Sequence, residues 1–170
     1  MNNDLTNSIY FSALTSVEGI EVKNALRIAG DYPNWDSLTS APSGELQNKF
    51  GEQLTHALLT GVLRNSPEKW RSAETALLKH TEQGIQPVSL LDSNYPRLLK
   101  LIPDPPPILY VRGNAKMLDW LKSIAVVGMR DATALGCAVA SRVANWFARS
   151  GYIGVSGLAK GIDIAAHKGC

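Results

Sequence analysis

Apolar side chains recur at spacings of three and four residues from Leu5 to Gln83, which is the period of amphipathic helices. The pattern is interrupted wherever glycine, proline and serine collect, so it is divided into short segments. The interruptions fall at Gly19 and at residues 30–33, 42–44 and 66–67. This pattern predicts a small bundle of short helices, with Trp35 and Trp70 packed in its core or between its helices.

One interruption, Val17-Glu18-Gly19-Ile20, lies between two predicted helices. It resembles the hairpin of helix-hairpin-helix DNA-binding modules, in which glycine lets backbone amides approach a phosphate. A glycine that ends a helix explains the same four residues. We therefore predict a small helical domain, similar to SAM or helix-hairpin-helix domains, and we assign no DNA contact to its hairpin.

The pattern changes after Gly84. Residues 85–91 alternate and are rich in aliphatic side chains, and residues 108–111 form another short apolar run. The intervening residues 102–107 hold four prolines, which exclude a helix and favour an extended connector. We place a domain boundary close to residue 85, which gives a helical domain over residues 1–85 and a second domain over residues 86–170.

From Ser123 onward the chain repeats an order of strand, glycine loop and helix. The apolar run 124–127 is typical of a strand buried on both faces of a parallel sheet. Residues 134–150 have helical periodicity, residues 152–155 form a second strand, and residues 162–168 open a second helix. The order β-α-β-α predicts the start of a doubly wound α/β sheet.

The two glycine loops of this predicted sheet are candidates for an anion site. Successive strand-to-helix turns of a parallel sheet emerge at the same carboxyl edge, so the loops should lie side by side. Each leads into a helix N-terminus, whose unpaired amides and partial positive charge favour an anion. Arg130 in the first loop and Lys160 in the second add two cations.

Common nucleotide motifs are missing from these loops. Gly154, Gly157 and Gly161 are spaced G-x-x-G-x-x-x-G, and Lys160 is followed by glycine where a phosphate-binding loop of NTPases needs serine or threonine. These observations argue against a dinucleotide dehydrogenase or a Walker-type NTPase. We expect no cofactor, and a site that holds phosphate groups without performing chemistry on them.

The remaining polar residues of the loops suggest no catalysis. Asp163 lies in the first turn of a predicted helix, where a carboxylate stabilises the helix dipole or braces a glycine loop. His167 follows on the same helix, but no nucleophile can be named for it. Surface pairing of Arg130 with Asp131 is the alternative to a binding role for that arginine. We therefore predict that the protein is not an enzyme.

Charge is distributed unevenly along the chain. The formal net charge is +2, but residues 1–85 hold seven basic and ten acidic side chains, and residues 86–170 hold ten and five. The second half is therefore the better candidate for binding an anionic ligand. A content of 45% hydrophobic residues is enough for a packed core.

Cysteine spacing and hydropathy suggest neither a metal nor a membrane. Cys137 and Cys170 lie far apart and neither has a neighbouring ligand at zinc spacing, so we expect no metal site. The first residues show no basic stretch followed by an apolar one, and no apolar run is long enough to cross a bilayer. We expect a cytoplasmic protein with reduced thiols.

Several motifs follow one another in one order along the second half of the chain. They are Tyr95-Pro96, Asp104-Pro105-Pro106, Ile124-x-Val126-Val127-Gly128-x-Arg130 and Val155-Ser156-Gly157-Leu158-Ala159-Lys160-Gly161-Ile162-Asp163-x-Ala165-Ala166-His167. Together these motifs resemble the bacterial DNA-processing protein A (DprA/Smf) family. The resemblance is close over residues 88–169 and loose before them.

The resemblance implies an extended Rossmann-like fold that binds single-stranded DNA in a basic pocket. It implies a role in DNA uptake and natural transformation, in which the protein protects incoming strands and helps load the RecA recombinase. Arg130 matches the arginine of the family's G-S-R motif, and Lys160 matches the basic position of its S-G-x-A-x-G-I-D motif. The matching loop positions whose amides or small size admit phosphate are Gly128, Ser156, Gly157 and Gly161.

Two departures from the family pattern bear on these expectations. Met129 replaces the usual serine, so a hydroxyl that could donate to phosphate is missing. The chain ends at Cys170, before the strands that complete the sheet and the dimer and RecA surfaces in relatives. We therefore expect an incomplete Rossmann-like sheet in a truncated chain, or one that needs a partner such as a second copy.

Further functions remain open from sequence. Related Rossmann-like proteins hydrolyse nucleoside monophosphates with a P-G-G-x-G-T-x-x-E segment, which is absent here. A nucleotide-binding module that senses a small phosphorylated signal would also fit the loops, and so would an inactive fragment. Single-strand sites commonly add aromatic side chains that stack on bases, and the candidates for this role are Tyr110, Trp120 and Tyr152.

Overall fold

The computed structural model describes residues 5–64, 66–119 and 121–170, with only the backbone of Ser66. The chain divides into two compact units, residues 1–119 and residues 120–170. Unit 1 contains the helices α1 (Thr6–Thr15), α2 (Val22–Asp31), α3 (Trp35–Thr39), α4 (Ser43–Ala57) and α5 (Ser66–Glu82), and the strands β1 (Ile85–Ser89) and β2 (Ile108–Arg112). Unit 2 contains β3 (Ser123–Ala125), α6 (Ala134–Arg149), β4 (Ile153–Val155) and α7 (Ile162–Gly169).

The predicted helical bundle forms the larger part of unit 1. Its interior is made of large apolar side chains that are almost completely shielded from solvent, and removing them from water stabilises the bundle. The predicted inter-helix packing of Trp35 and Trp70 is confirmed, because their ring centroids lie 5.4 Å apart between α3 and α5. The most deeply buried apolar side chains include Phe11, Leu14, Ile28, Leu38, Leu46 and Leu58.

A buried tyrosine shows how polar groups inside the bundle are satisfied. The Tyr10 hydroxyl donates a hydrogen bond of 2.6 Å to the Tyr32 carbonyl oxygen. Burial raises the pKa of Tyr10 above its ordinary value, because the ionised phenolate would lose its hydration. The hydroxyl therefore stays a neutral donor, and it ties α1 to the residue that ends α2.

The segment between α1 and α2 is a tight turn. Gly19 has φ of 85°, in the left-handed region that glycine adopts without a steric penalty. The Ile20 amide donates to the Val17 carbonyl oxygen at 3.1 Å, which closes the turn. Glu18 and Glu21 give this turn two carboxylates, an arrangement that does not favour phosphate.

The strands β1 and β2 pair antiparallel, from Ile85 opposite Arg112 to Ser89 opposite Ile108. The alternating segment 85–91 and the apolar run 108–111 thus contribute the two strands of this pair. Both belong to unit 1, in which β1 contacts α1 and α5. The compact units therefore divide at residue 119, whereas a domain boundary near residue 85 stays a prediction from the sequence.

Unit 2 has the predicted order of strand, helix, strand and helix. Strands β3 and β4 are parallel neighbours, with Ser123 opposite Ile153 and Ala125 opposite Val155. Helix α6 begins where the Thr133 hydroxyl accepts a hydrogen bond of 3.1 Å from the Gly136 amide. These observations confirm an α/β fold that begins a parallel sheet.

The prediction that the apolar run 124–127 is buried on both faces of the sheet is wrong. Ala125 and Val127 are exposed, because no described element of unit 2 covers their side of the sheet. Helix α6 packs on α7 through small residues, and the Asn145 side-chain amide donates to the Gly169 carbonyl oxygen at 2.9 Å. The larger side chains Val139, Val143 and Trp146 of α6 are exposed.

Candidate functional site

The loops that follow β3 and β4 lie side by side, as predicted from the parallel topology. The first loop covers residues 126–133 and the second residues 156–161. The Val126 amide donates to the Val155 carbonyl oxygen at 3.0 Å, so pairing continues one residue beyond the strands. The Ser156 hydroxyl then donates to the Val126 carbonyl oxygen at 2.7 Å. We call this pair of adjacent loops at the carboxyl end of the sheet the loop edge.

A buried carboxylate on α7 holds both loops. Asp163 is only 6% exposed. Its Oδ1 accepts a hydrogen bond of 3.3 Å from the Gly128 amide, and its Oδ2 accepts one of 3.1 Å from the Gly157 amide. Of the two roles expected for Asp163, the bracing of a glycine loop is therefore confirmed, and it extends to both loops.

This arrangement changes how the predicted phosphate-binding groups can act. The amides of Gly128 and Gly157 and the hydroxyl of Ser156 already donate to partners inside unit 2. In this structure they shape the loop edge, and their assignment to phosphate stays a prediction. The groups that face solvent are the side chains beyond the two glycines.

Glycine is required where the second loop passes the first. Gly161 has φ of 84°, and a Cβ atom there would overlap the Met129 carbonyl oxygen and lie 2.5 Å from that of Arg130. The Ile162 amide donates to the Met129 carbonyl oxygen at 3.3 Å, which joins the start of α7 to the first loop. A Cβ atom on Gly128 would similarly lie 2.7 Å from Ile162 Cγ1. Gly161 therefore permits close contact between the two loops, and Gly128 permits close contact between the first loop and the start of α7.

Two exposed cations stand at the loop edge. Arg130 follows Gly128 by two residues, and Lys160 follows Gly157 by three. Neither forms an ion pair with any residue that the structure describes, so the alternative pairing of Arg130 with Asp131 does not occur there. Residues 121–170 carry six basic and two acidic side chains, and one of the acids is the buried Asp163. Both cations are therefore available to an anion in solution.

Exposed apolar side chains also project from the loop edge, and Val127 of the first loop is one of them. Met129 is 72% exposed and Leu158 is 69% exposed. Leu158 has φ of 57°, a left-handed conformation that is unusual for a bulky side chain. Nothing in the sequence indicates this conformation, since leucine favours right-handed or extended backbone.

The candidate aromatic side chains that the structure describes do not belong to the loop edge. Tyr152 precedes β4, at the opposite end of that strand, and its ring packs edge-on against Phe147 at 5.5 Å. Tyr110 belongs to unit 1 and packs against His80 at 4.7 Å. Trp120 lies outside the described residues.

The described part of the chain holds neither a cluster of metal ligands nor a membrane-spanning helix. Across residues 5–64, 66–119 and 121–170, no group of three or more His, Cys, Asp or Glu side chains is arranged to hold a metal ion. None of the helices in those ranges combines the length and the hydropathy needed to span a bilayer.

Several known proteins are similar to this chain. The family described as DNA recombination-mediator protein A matches residues 86–170. The DNA processing protein DprA of Bacillus subtilis is 34% identical over 133 residues, which cover 78% of this chain and 43% of that protein. The protein Smf of Synechocystis is 29% identical over 167 residues, which cover 95% of this chain and 40% of that protein.

A solved structure extends the likeness to the fold. The X-ray structure of DNA processing protein A (DprA) from Streptococcus pneumoniae superposes with a TM-score of 0.62 at 26% identity. The match covers 96% of this chain and 53% of that one. The chain spans less than half the length of the curated relatives it matches. On the family match and these likenesses, the chain belongs to the DNA recombination-mediator protein A family, the DprA/Smf proteins.

Proposed function

We propose that this chain binds single-stranded DNA, and that the phosphates of the strand lie on the loop edge between Arg130 and Lys160. The observation that carries the proposal is the position of these two exposed cations, unpaired within the described residues, on adjacent loops of one sheet edge. A guanidinium and an ammonium group bind phosphate oxygens through charge-assisted hydrogen bonds. Such contacts position a strand without reading its sequence.

Binding without chemistry fits the polar groups that surround the cations. Both oxygens of Asp163 accept loop amides, so this carboxylate is committed to structure. The Ser156 hydroxyl donates to a backbone carbonyl and has no neighbouring base among its described partners. The loop edge therefore offers fixed positive charge rather than an activated nucleophile.

We further propose that this binding serves DNA uptake in natural transformation, by protecting the incoming strand and helping to load the RecA recombinase. The resemblance of the loops to the DprA/Smf motifs and the description of the family as recombination mediators support this role. A second copy of the chain is a candidate partner in the same process.

The test is the binding of labelled oligo-dT to the full chain, followed by fluorescence anisotropy over a range of salt concentrations. Replacing Arg130 and Lys160 by alanine should weaken binding and reduce the slope of log K against log salt by about 1.4, since each phosphate contact on a single strand contributes about 0.7. The matched control replaces Lys122 and Arg149, which lie at the opposite end of the sheet, and it removes the same charge.

The control distinguishes a site from general attraction. The Lys122 and Arg149 variant should keep most of its affinity and its salt slope. Equal losses in the two double variants would contradict a site at the loop edge. Tight binding of a mononucleotide with release of its base would instead indicate hydrolysis of nucleoside monophosphates.

A further inference from the structure

We infer that Met129 and Leu158 form a contact surface for the unpaired bases of the strand. This inference rests on the proposed function, because it takes the phosphates to lie on Arg130 and Lys160. It adds the residues that would make the site prefer single-stranded over double-stranded DNA.

The two loops present the same order of groups. In each, a glycine amide is held by Asp163, the next residue is an exposed apolar side chain, and an exposed cation follows within two residues. Since one carboxylate binds the amides of Gly128 and Gly157, the side chains of Met129 and Leu158 leave the loop edge from neighbouring points. Apolar surface and positive charge are thus interleaved at one place.

The conformation of Leu158 supports a role outside the fold. Its φ of 57° is disfavoured for a leucine, and this backbone leaves the side chain 69% exposed instead of packed. Strained backbone of this kind is concentrated at functional sites. Burial within unit 2 therefore does not explain why the loop carries a large apolar side chain at this position.

Charge complementarity identifies the occupant of this surface. A partner must offer apolar faces next to negative charges, in order to meet both the two side chains and the two cations. A single strand offers its base faces beside its phosphates, whereas a duplex keeps those faces stacked inside. Tyr152 lies at the opposite end of the sheet, whereas Met129 directly precedes Arg130 and Leu158 precedes Lys160 by two residues.

The experiment compares two oligonucleotides of equal length, oligo-dT and an abasic strand with the same phosphates. For the unchanged chain, the ratio of the two affinities should favour oligo-dT by about fourfold or more, which corresponds to burial of at least one methylene-sized group. Met129→Gln combined with Leu158→Asn should bring the ratio towards one. Asparagine tolerates the left-handed backbone at position 158.

A matched control removes apolar surface elsewhere in unit 2. Val139→Thr replaces a residue of α6 that is also exposed, and it should keep the ratio of the unchanged chain. Circular dichroism of each variant establishes that it is folded, and the ratio of the unchanged chain is informative without any variant.

The outcomes separate this inference from the proposed function. Equal binding of oligo-dT and the abasic strand by the unchanged chain overturns the base-contact surface and leaves phosphate binding in place. Binding of neither strand overturns both. A ratio that falls as far in Val139→Thr, or a dimer that the Met129 and Leu158 changes dissociate, also overturns the inference and assigns the surface to another role.

Discussion

Asp163 connects the two loops that carry the proposed site. Its oxygens each accept one backbone amide, from residues 35 and 6 positions away in the chain. A hydrogen bond to a charged group contributes roughly 1.5–3 kcal/mol, and leaving a buried amide unpaired has a cost of similar size. The position of Arg130, two residues after Gly128, therefore depends on the buried side chain of Asp163.

Replacing Asp163 by asparagine tests this dependence. Asparagine has one carbonyl oxygen, so its NH2 group would face a loop amide that also donates. We expect a loss of about 1.5–3 kcal/mol in the stability of unit 2, and faster amide exchange at Gly128 and Gly157, measured by NMR. Asp131→Asn removes the same charge from an exposed position and should leave both amides protected. Unchanged exchange in Asp163→Asn would show that the carboxylate does not hold the loops.

For a single residue, the sequence predicts the role of the side chain better than it predicts which residues the side chain contacts. An acid in the first helical turn predicts an architectural role for Asp163, either on the helix dipole or as a brace of a glycine loop. The identity of its partners could not be predicted, because periodicity holds no information on a contact between residues 128 and 163. The same limit applies to Leu158, since a leucine in the sequence gives no indication of a left-handed backbone.

Gly161 lets the second loop pass close to the first, so the loop edge depends on backbone shape as well as on side chains. The residue combines a left-handed φ with close contact to the carbonyl oxygens of Met129 and Arg130. Gly151 has a similar φ of 80°, but a Cβ atom there would meet nothing within 4 Å. A comparison of Gly151 with Gly161 therefore separates the free-energy cost of a left-handed backbone from the free-energy cost of crowding.

Alanine at these two glycines should therefore have unequal effects. Gly151→Ala should lower the stability of unit 2 by about 1–2 kcal/mol, the cost of a left-handed conformation for a residue with a Cβ atom. Gly161→Ala should lower it by that amount and by about 1–3 kcal/mol more, because crowded atoms must move. Urea unfolding, followed at amide signals of unit 2, measures both. Equal losses would show that the loops do not depend on close contact at Gly161.

The helices and strands are the scale at which the sequence is most informative. Their order and type follow from spacing and from glycine and proline positions, and β3, α6, β4 and α7 are all present as predicted. The burial of β3 and of α6 is harder to predict, because an apolar run shows that a surface could be covered without showing what covers it. Val127 and Trp146 are apolar and exposed for this reason.

The two compact units differ in what they bury. Unit 1 encloses aromatic and large aliphatic side chains, whereas the buried residues in the described part of unit 2 are Ala140, Ala144, Asp163, Ala165, Ala166 and Gly169. Alanine removes little apolar surface from water compared with leucine or phenylalanine. The hydrophobic contribution to stability is therefore concentrated in unit 1, and the proposed binding site lies in the unit with the smaller core.

Hydrogen exchange followed by mass spectrometry should reveal this difference. Amides in α1, α4 and α5 should exchange slowly, and those in α6 and α7 should exchange faster, because local opening exposes little additional apolar surface. Saturating oligo-dT should slow exchange in unit 2, since a ligand at about 100 times its Kd stabilises the state it binds by about 2.7 kcal/mol. The Arg130 and Lys160 double variant should lose that protection at the same DNA concentration. Slow exchange of unit 2 without DNA, at a level equal to unit 1, would contradict the prediction.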